Sequence, residues 1–207
     1  MVQLILVRHG RSEWNDKGIW TGWADPDLNE EGRMEAKRTA EALKGIKIDY
    51  VYTSLLKRVI NTIEIILKEL KLNIKIVKDA ALNERNYGDF TGKNKWQVKE
   101  QVGEEEFNRI RRGWDHPIPN GESLKMVYAR VVPYYEKEIL PKLKLGKNVL
   151  VGGSGNSLRA LVKFLDNISE EKISEVEVKT AEAWVYEIDK NGKVLGKKIL
   201  AENSKIV

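Results

Sequence analysis

The chain of 207 residues has no cysteine and only two histidines, His9 and His116. Without thiols it has no disulfide and no thiolate metal site, and two histidines make a poor metal site. No apolar run approaches membrane-spanning length. Met1-Val2-Gln3 leads straight into a strand pattern, with no signal-peptide pattern before it. There is no internal repeat, no low-complexity segment and no block of basic residues. The expectation is a soluble, cytoplasmic protein with no membrane and no nucleic-acid partner. Charge of either sign is not scarce: 36 Lys and Arg stand against 31 Asp and Glu, a net of +5. That excess fits an anionic small molecule, with weak nucleic-acid binding as the other option. Most of it lies along amphipathic helices, as in Lys37-Arg38 and Lys68-Glu69, and reads as solvated face.

The most informative stretch is Leu4-Ile5-Leu6-Val7-Arg8-His9-Gly10. An unbroken Leu/Ile/Val run reads as a buried parallel strand. Its carboxyl end is where open α/β sheets place ligands. His9 stands there beside a guanidinium, before a glycine that lets the backbone turn sharply. A neutral imidazole among cations can attack phosphorus and carry the phosphoryl group. A histidine in this place can equally finish a strand by bonding a backbone carbonyl.

The length suits one α/β domain over residues 1–207. Asn29 caps a helix with Glu30 and Glu31 at its positive end, and Ala36, Ala40 and Leu43 form its stripe. Ile48 to Thr53 is a strand, Ser54 caps the next helix, and Leu55, Val59, Ile63, Ile66 and Leu70 form its core face. Ile74 to Val77 is a third strand. From about 80 to 120 the periodicity is poor. A stretch that long in a compact domain is functional or an inserted unit, and it is read as an irregular cap over the active site. Ser123 caps a helix running toward Leu140, which Pro133 should kink or split. Asn148 to Gly152 is a buried strand, and Gly155-Asn156-Ser157 leads into a helix from Leu158 to Leu165. Ala183–Ile188 and Val194–Leu200 flank Asn191-Gly192, an antiparallel hairpin signal at the sheet edge. The fold class is therefore α/β, with a mostly parallel central sheet and helices on both faces.

Four separated segments bring phosphate-type groups to strand ends. They are Arg8-His9 with Asn15 following, Arg58 in the first turn of a helix, Glu84 beside Arg85, and the turn Gly153 to Ser157. A helix N-terminus offers free amides to an anion, and arginine adds a bidentate fork. Singly, each also has a structural explanation.

Together the motifs resemble the histidine phosphatase superfamily, and within it the cofactor-dependent phosphoglycerate mutases, over nearly the whole chain. The resemblance rests on Arg8-His9-Gly10, Trp20-Thr21-Gly22-Trp23, Leu82-Asn83-Glu84-Arg85-Asn86-Tyr87-Gly88, Asn94-Lys95, Arg111-Arg112 and Gly155 to Lys163. It implies the phosphoglycerate mutase-like fold. His9 would be the nucleophile, Arg8 and Arg58 the clamp on the moving phosphoryl group, and Glu84 the acid and base. Substrate contacts would come from Arg8, Ser12, Asn15, Thr21, Gly22, Arg58, Glu84, Tyr87, Lys95, Arg111, Arg112, Gly155 and Asn156. The substrate would be a phosphoglycerate, the primer 2,3-bisphosphoglycerate, the assembly a homodimer, and no metal would be used.

The resemblance also implies a second catalytic histidine, and that position is Ser154. His116 belongs to a different segment and reads as structural. Losing one preorganised donor typically costs about 3–4 kcal/mol in the transition state, so turnover should suffer more than binding. The replacement is either engineered, or natural in a weakened or repurposed protein, or offset by another group. Arg11 replaces the usual glutamate and Asn86 a common histidine. The short Pro117–Ser123 segment is shared with the phosphatase branch. The alternatives to a mutase are a phosphatase of small phosphate esters and a non-catalytic phosphoglycerate binder.

Overall fold

The structure is a computed structural model that describes residues 1–201. The domain assignment's last six positions, 202–207, lie outside the described residues. Six strands form one sheet: β1 (Val2–Arg8), β2 (Tyr50–Thr53), β3 (Ile76–Lys78), β4 (Val149–Gly153), β5 (Ala183–Ile188) and β6 (Val194–Leu200). Their order is β3-β2-β4-β1-β5-β6. The first four are mutually parallel, and β5 and β6 run antiparallel beside β1. The hairpin is as the Asn-Gly signal predicts, with β6 taking the edge.

Strand alternation sends side chains to two cores. Leu4, Leu6, Val149 and Val151 pack on one face under α6 (Leu124–Tyr134), α7 (Leu140–Lys144) and α8 (Gly155–Leu165). Ile5, Val7, Val51 and Leu150 pack on the other, under α2 (Glu30–Ala42) and α3 (Lys57–Glu69). Each fully buried Leu, Ile or Val contributes about 1.5–3 kcal/mol of transfer free energy. The inner strands have apolar residues on both faces because both are covered.

Several local expectations need correction. Ser54 does not cap α3: the N-cap is Leu56, without a side-chain bond, while Ser54 Oγ accepts from Leu56 N. Leu55 therefore precedes the helix and is half exposed, not in the core. The helix after β4 starts at Gly155, with Ser154 at its N-cap, three residues earlier than Leu158. β2 and β3 each begin two residues later than read. Gly10 has no positive φ. It is needed because a Cβ there would lie 2.3 Å from the carbonyl oxygen of Gly32, so β1's exit and α2's start touch backbone to backbone. Pro133 does split its helix, which passes into a π-helical stretch at Tyr135–Ile139 before α7.

The stretch read as irregular contains two helices, α4 (Lys95–Val102) and α5 (Glu104–Arg112). They share a third, smaller core of Trp20, Tyr87, Val98, Phe107, Ile110 and Ile118. Trp20 is its centre, with ring contacts to Tyr87, Phe90 and Phe107. The loop after β1 and the segment at 80–120 thus fold as one unit over the carboxyl ends of the strands. One short turn, α1 (Glu13–Asp16), links them to β1.

Candidate active site

Three parallel strands deliver the floor of the site. β1 ends in Arg8, and His9 N bonds Gly153 O at 3.0 Å, carrying the ladder one step past the strand. β2 leads to Arg58 in the first turn of α3, and β4 leads to Gly155 and Asn156 at the start of α8. An inner cavity of about 340 Å³ is lined by Arg8, His9, Asn15, Thr21, Gly22, Arg58, Glu84, Tyr87 and Lys95, with Trp20. It adjoins an outer cavity of about 480 Å³ that shares Arg8, Trp20, Glu84, Tyr87 and Lys95. The outer one adds Arg111, Arg112, Gly155, Asn156, Arg159, Glu177 and Val178.

His9 is 3% exposed. Its Nδ1 lies 2.7 Å from Gly10 O. A carbonyl only accepts, so Nδ1 carries the proton and Nε2 keeps a lone pair. Burial, followed by the Arg58 and Arg8 charges, holds its pKa well below 6.5. The ring is therefore a neutral base or nucleophile at neutral pH. The carbonyl bond that could have made His9 merely structural is what fixes the reactive tautomer.

The two guanidiniums beside it form no ion pair with a carboxylate among the described residues. Arg58 is 1% exposed and donates from Nη1 to Ala24 O and from Nη2 to Gly22 O. Arg8 donates from Nη1 to Val178 O. Both Nε groups are buried and unpartnered among the described residues. Burial pulls Arg58 below its ordinary value, yet it remains a cation. Buried charges left unpaired are costly, and a phosphoryl oxygen would relieve both.

Glu84 is fixed on one side only. Its Oε1 accepts from Arg85 N at 2.7 Å and from Asn156 N at 3.1 Å, on the positive end of α8. Its Oε2 and the Arg8 guanidinium border the same space: a Cβ on Gly155 would sit 3.6 Å from both Glu84 Oε2 and Arg8 Cζ. Glu84's backbone carbonyl accepts from Trp23 Nε1 and Arg130 Nη2. Arg130 is itself held by a two-point pair with Glu122.

The outer cavity is more weakly restrained. Lys95 and Arg111 are only partly buried and form no ion pair among the described residues. Burial, then Arg111 and Arg8, lower the Lys95 pKa to about 8. Burial and Arg112 lower that of Arg111. Arg159 is buried, donates to Asn156 Oδ1, Arg112 O and Ile173 O, and is lowered to about 10, mainly by burial. Asn156 Nδ2 donates to Tyr87 OH, whose proton is left for another acceptor.

Two expected residues stand apart from the lining. Ser12 is buried and donates through N and Oγ to Asn15 Oδ1, so it orients Asn15. Ser154 is buried, with an Oγ that has no partner among the described residues. His116 lies 3.2 Å from Glu106 and lines neither cavity. Sequence reasoning missed Trp20, Arg159, Glu177 and Val178 as lining. Arg159 lies inside the quoted Gly155–Lys163 motif. Glu177 and Val178 sit in coil with no pattern to mark them. No group of three or more His, Asp or Glu able to hold a metal occurs among the described residues. No helix there is long and apolar enough to cross a membrane.

Comparison with known proteins gives the family. Residues 4–198 match the histidine phosphatase superfamily (branch 1). A protein of Parvibaculum lavamentivorans named 2,3-bisphosphoglycerate-dependent phosphoglycerate mutase is 48% identical over 202 residues, 96% of each chain. One of the same name from Rhizobium rhizogenes is 46% identical over 97% of each. Among solved structures, phosphoglycerate mutase from Bacillus anthracis superposes with a TM-score of 0.74 at 25% identity, covering 93% of this chain and 90% of that one. A putative alpha-ribazole-5'-P phosphatase of Escherichia coli reaches 0.81 at 22% identity, covering 97% and 96%, a likeness of fold.

Proposed function

The chain belongs to the histidine phosphatase superfamily (branch 1), and on that premise we propose that it interconverts 3-phosphoglycerate and 2-phosphoglycerate through a phosphohistidine at His9. It would work as a 2,3-bisphosphoglycerate-dependent phosphoglycerate mutase, the name its relatives at 44–48% identity carry. The observation that carries this is the pairing of the two cavities. The inner one offers a neutral imidazole between arginines that have no ion pair among the described residues, and the outer one a second set of cations. A phosphatase needs only the first, since it releases its product to water. A ligand with a second anionic end needs both. The phosphatase reading has no better support.

In the proposed reaction His9 Nε2 attacks phosphorus as the ester P–O bond breaks and a P–N bond forms. Arg8 and Arg58 hold the charge on the equatorial oxygens, where positioning and electrostatics do most of the catalysis. Glu84 Oε2 gives a proton to the departing glycerate oxygen and, in the return step, takes one from the glycerate hydroxyl that attacks phosphorus as the P–N bond breaks and a new P–O bond forms. Asn15 would contact the phosphoryl oxygens. Thr21, Gly22, Tyr87, Lys95, Arg111, Arg112, Gly155 and Asn156 would hold the rest of the glycerate. The primer supplies the first phosphoryl group, and the unpartnered Arg8 and Arg58 Nε groups suit its oxygens. The site would lie in one α/β domain, with residues 80–120 as its cap, in a cytoplasmic homodimer.

The test is isomerisation of 3-phosphoglycerate measured with and without 2,3-bisphosphoglycerate. Primer-dependent isomerisation is expected. Phosphate release without isomerisation would reject it.

Ser154 favours a second reading, a phosphoglycerate binder with little turnover. The resemblance implies an imidazole where this buried hydroxyl has no partner. Ser154→His should then raise kcat by about a hundred- to a thousandfold. An unchanged rate would show that the missing imidazole was not the defect.

A further inference from the structure

The outer cavity contains an anion of its own. Glu177 lines it, and its Oε1 lies 3.1 Å from Arg112 Nη2. The backbone around it is tied to the same arginines: Arg112 Nη1 donates to Val176 O at 3.2 Å, and Arg8 Nη1 to Val178 O at 2.7 Å. Residues 176–178 thus lie across two of the guanidiniums meant for a ligand. Burial works to raise the Glu177 carboxyl, but Arg112, Arg111 and Arg8 together hold it below its ordinary value, so it is ionised at neutral pH. The Glu177 side chain is 49% exposed, against 21% for Arg112. An ion pair this open contributes little to stability and can be exchanged for another anion at small cost.

We propose that Glu177 is a specificity-determining residue that occupies Arg112 until the second anionic end of the ligand displaces it. This rests on the reading of the outer cavity as the seat of that second end. Seating the ligand there is then an exchange of one anion for another, not the filling of an uncompensated cationic basin. The exchange lowers affinity for ligands with two anionic ends and affects those with one end much less, because the ion pair it breaks is to Arg112, which lines only the outer cavity. It also speeds release, since Glu177 returns to Arg112 as the product departs. A carboxylate that only oriented Arg112 would have the opposite effect: its removal would weaken binding.

The deciding experiment is calorimetric titration of the full chain, wild type and Glu177→Gln, with 3-phosphoglycerate and with glycerol 3-phosphate, which has a single anionic end. Glu177→Gln should bind 3-phosphoglycerate about five- to tenfold more tightly, from removal of one nearby like charge in a wet site. Binding of glycerol 3-phosphate should tighten less than about twofold. The 3-phosphoglycerate affinity should also fall more steeply with salt in the variant, since its basin holds more unbalanced charge. Glu177→Ala should tighten likewise, which separates charge from side-chain shape. Unchanged or weaker 3-phosphoglycerate binding in both variants would overturn the assignment while leaving the proposed function standing. Failure of the wild type to bind 3-phosphoglycerate at all would remove both.

Discussion

The inner and outer cavities are both cationic, but they hold their charge differently. In the inner one, Arg58 is pinned at both Nη groups to loop carbonyls and His9 is locked into one tautomer. In the outer one, Lys95 and Arg111 have no ion pair among the described residues, and Arg112 shares itself with Glu177. Rigidity sits where a phosphoryl group would move, because charge developing there is stabilised best by groups that need not reorganise. Freedom sits where the remainder of the ligand would lie. A mutase must accept the same glycerate in two orientations, and a looser basin suits that task.

This contrast predicts which kinetic constant each substitution moves. The largest effect should follow Arg58→Ala, with kcat falling about a hundred- to a thousandfold and KM changing little. Arg111→Ala should instead raise KM about ten- to a hundredfold with a smaller change in kcat. Steady-state kinetics of the two variants would erase the distinction if both moved the same constant. The smallest effect is one of pH. Lys95, lowered to about 8, loses its charge as pH rises through that value. KM should therefore climb above about pH 8, and Lys95→Arg should push that rise to higher pH. On the acid side, His9 stays neutral in the folded chain below 6.5 while the unfolded chain takes up a proton there. Folded stability should accordingly fall as pH drops through 6.5, as thermal melts across pH would show.

The sheet was legible because its strands and helices obey simple periods. Leu4 to Val7 and Val149 to Val151 are unbroken apolar runs, and both lead to residues of the site. The cap was not, because its core is made by distant aromatics and not by a stripe. Trp20 meets Tyr87, Phe90 and Phe107 only once the chain has folded back. Leu55 was misplaced for a related reason, since Ser54 offered a plausible cap that Leu56 took instead. Within the site, residues in compact motifs were found, such as Arg8-His9 and Glu84. Glu177 and Val178 reach the cavity from coil, where burial and charge are visible only in three dimensions.

The central claim is that the imidazole closing the first strand becomes phosphorylated. Incubating the protein with 2,3-bisphosphoglycerate and assaying for an acid-labile, base-stable phosphate tests it directly. We expect the phosphate on His9, and its loss in His9→Ala. A stable adduct elsewhere, or no adduct on His9 despite measurable isomerisation, would contradict the account.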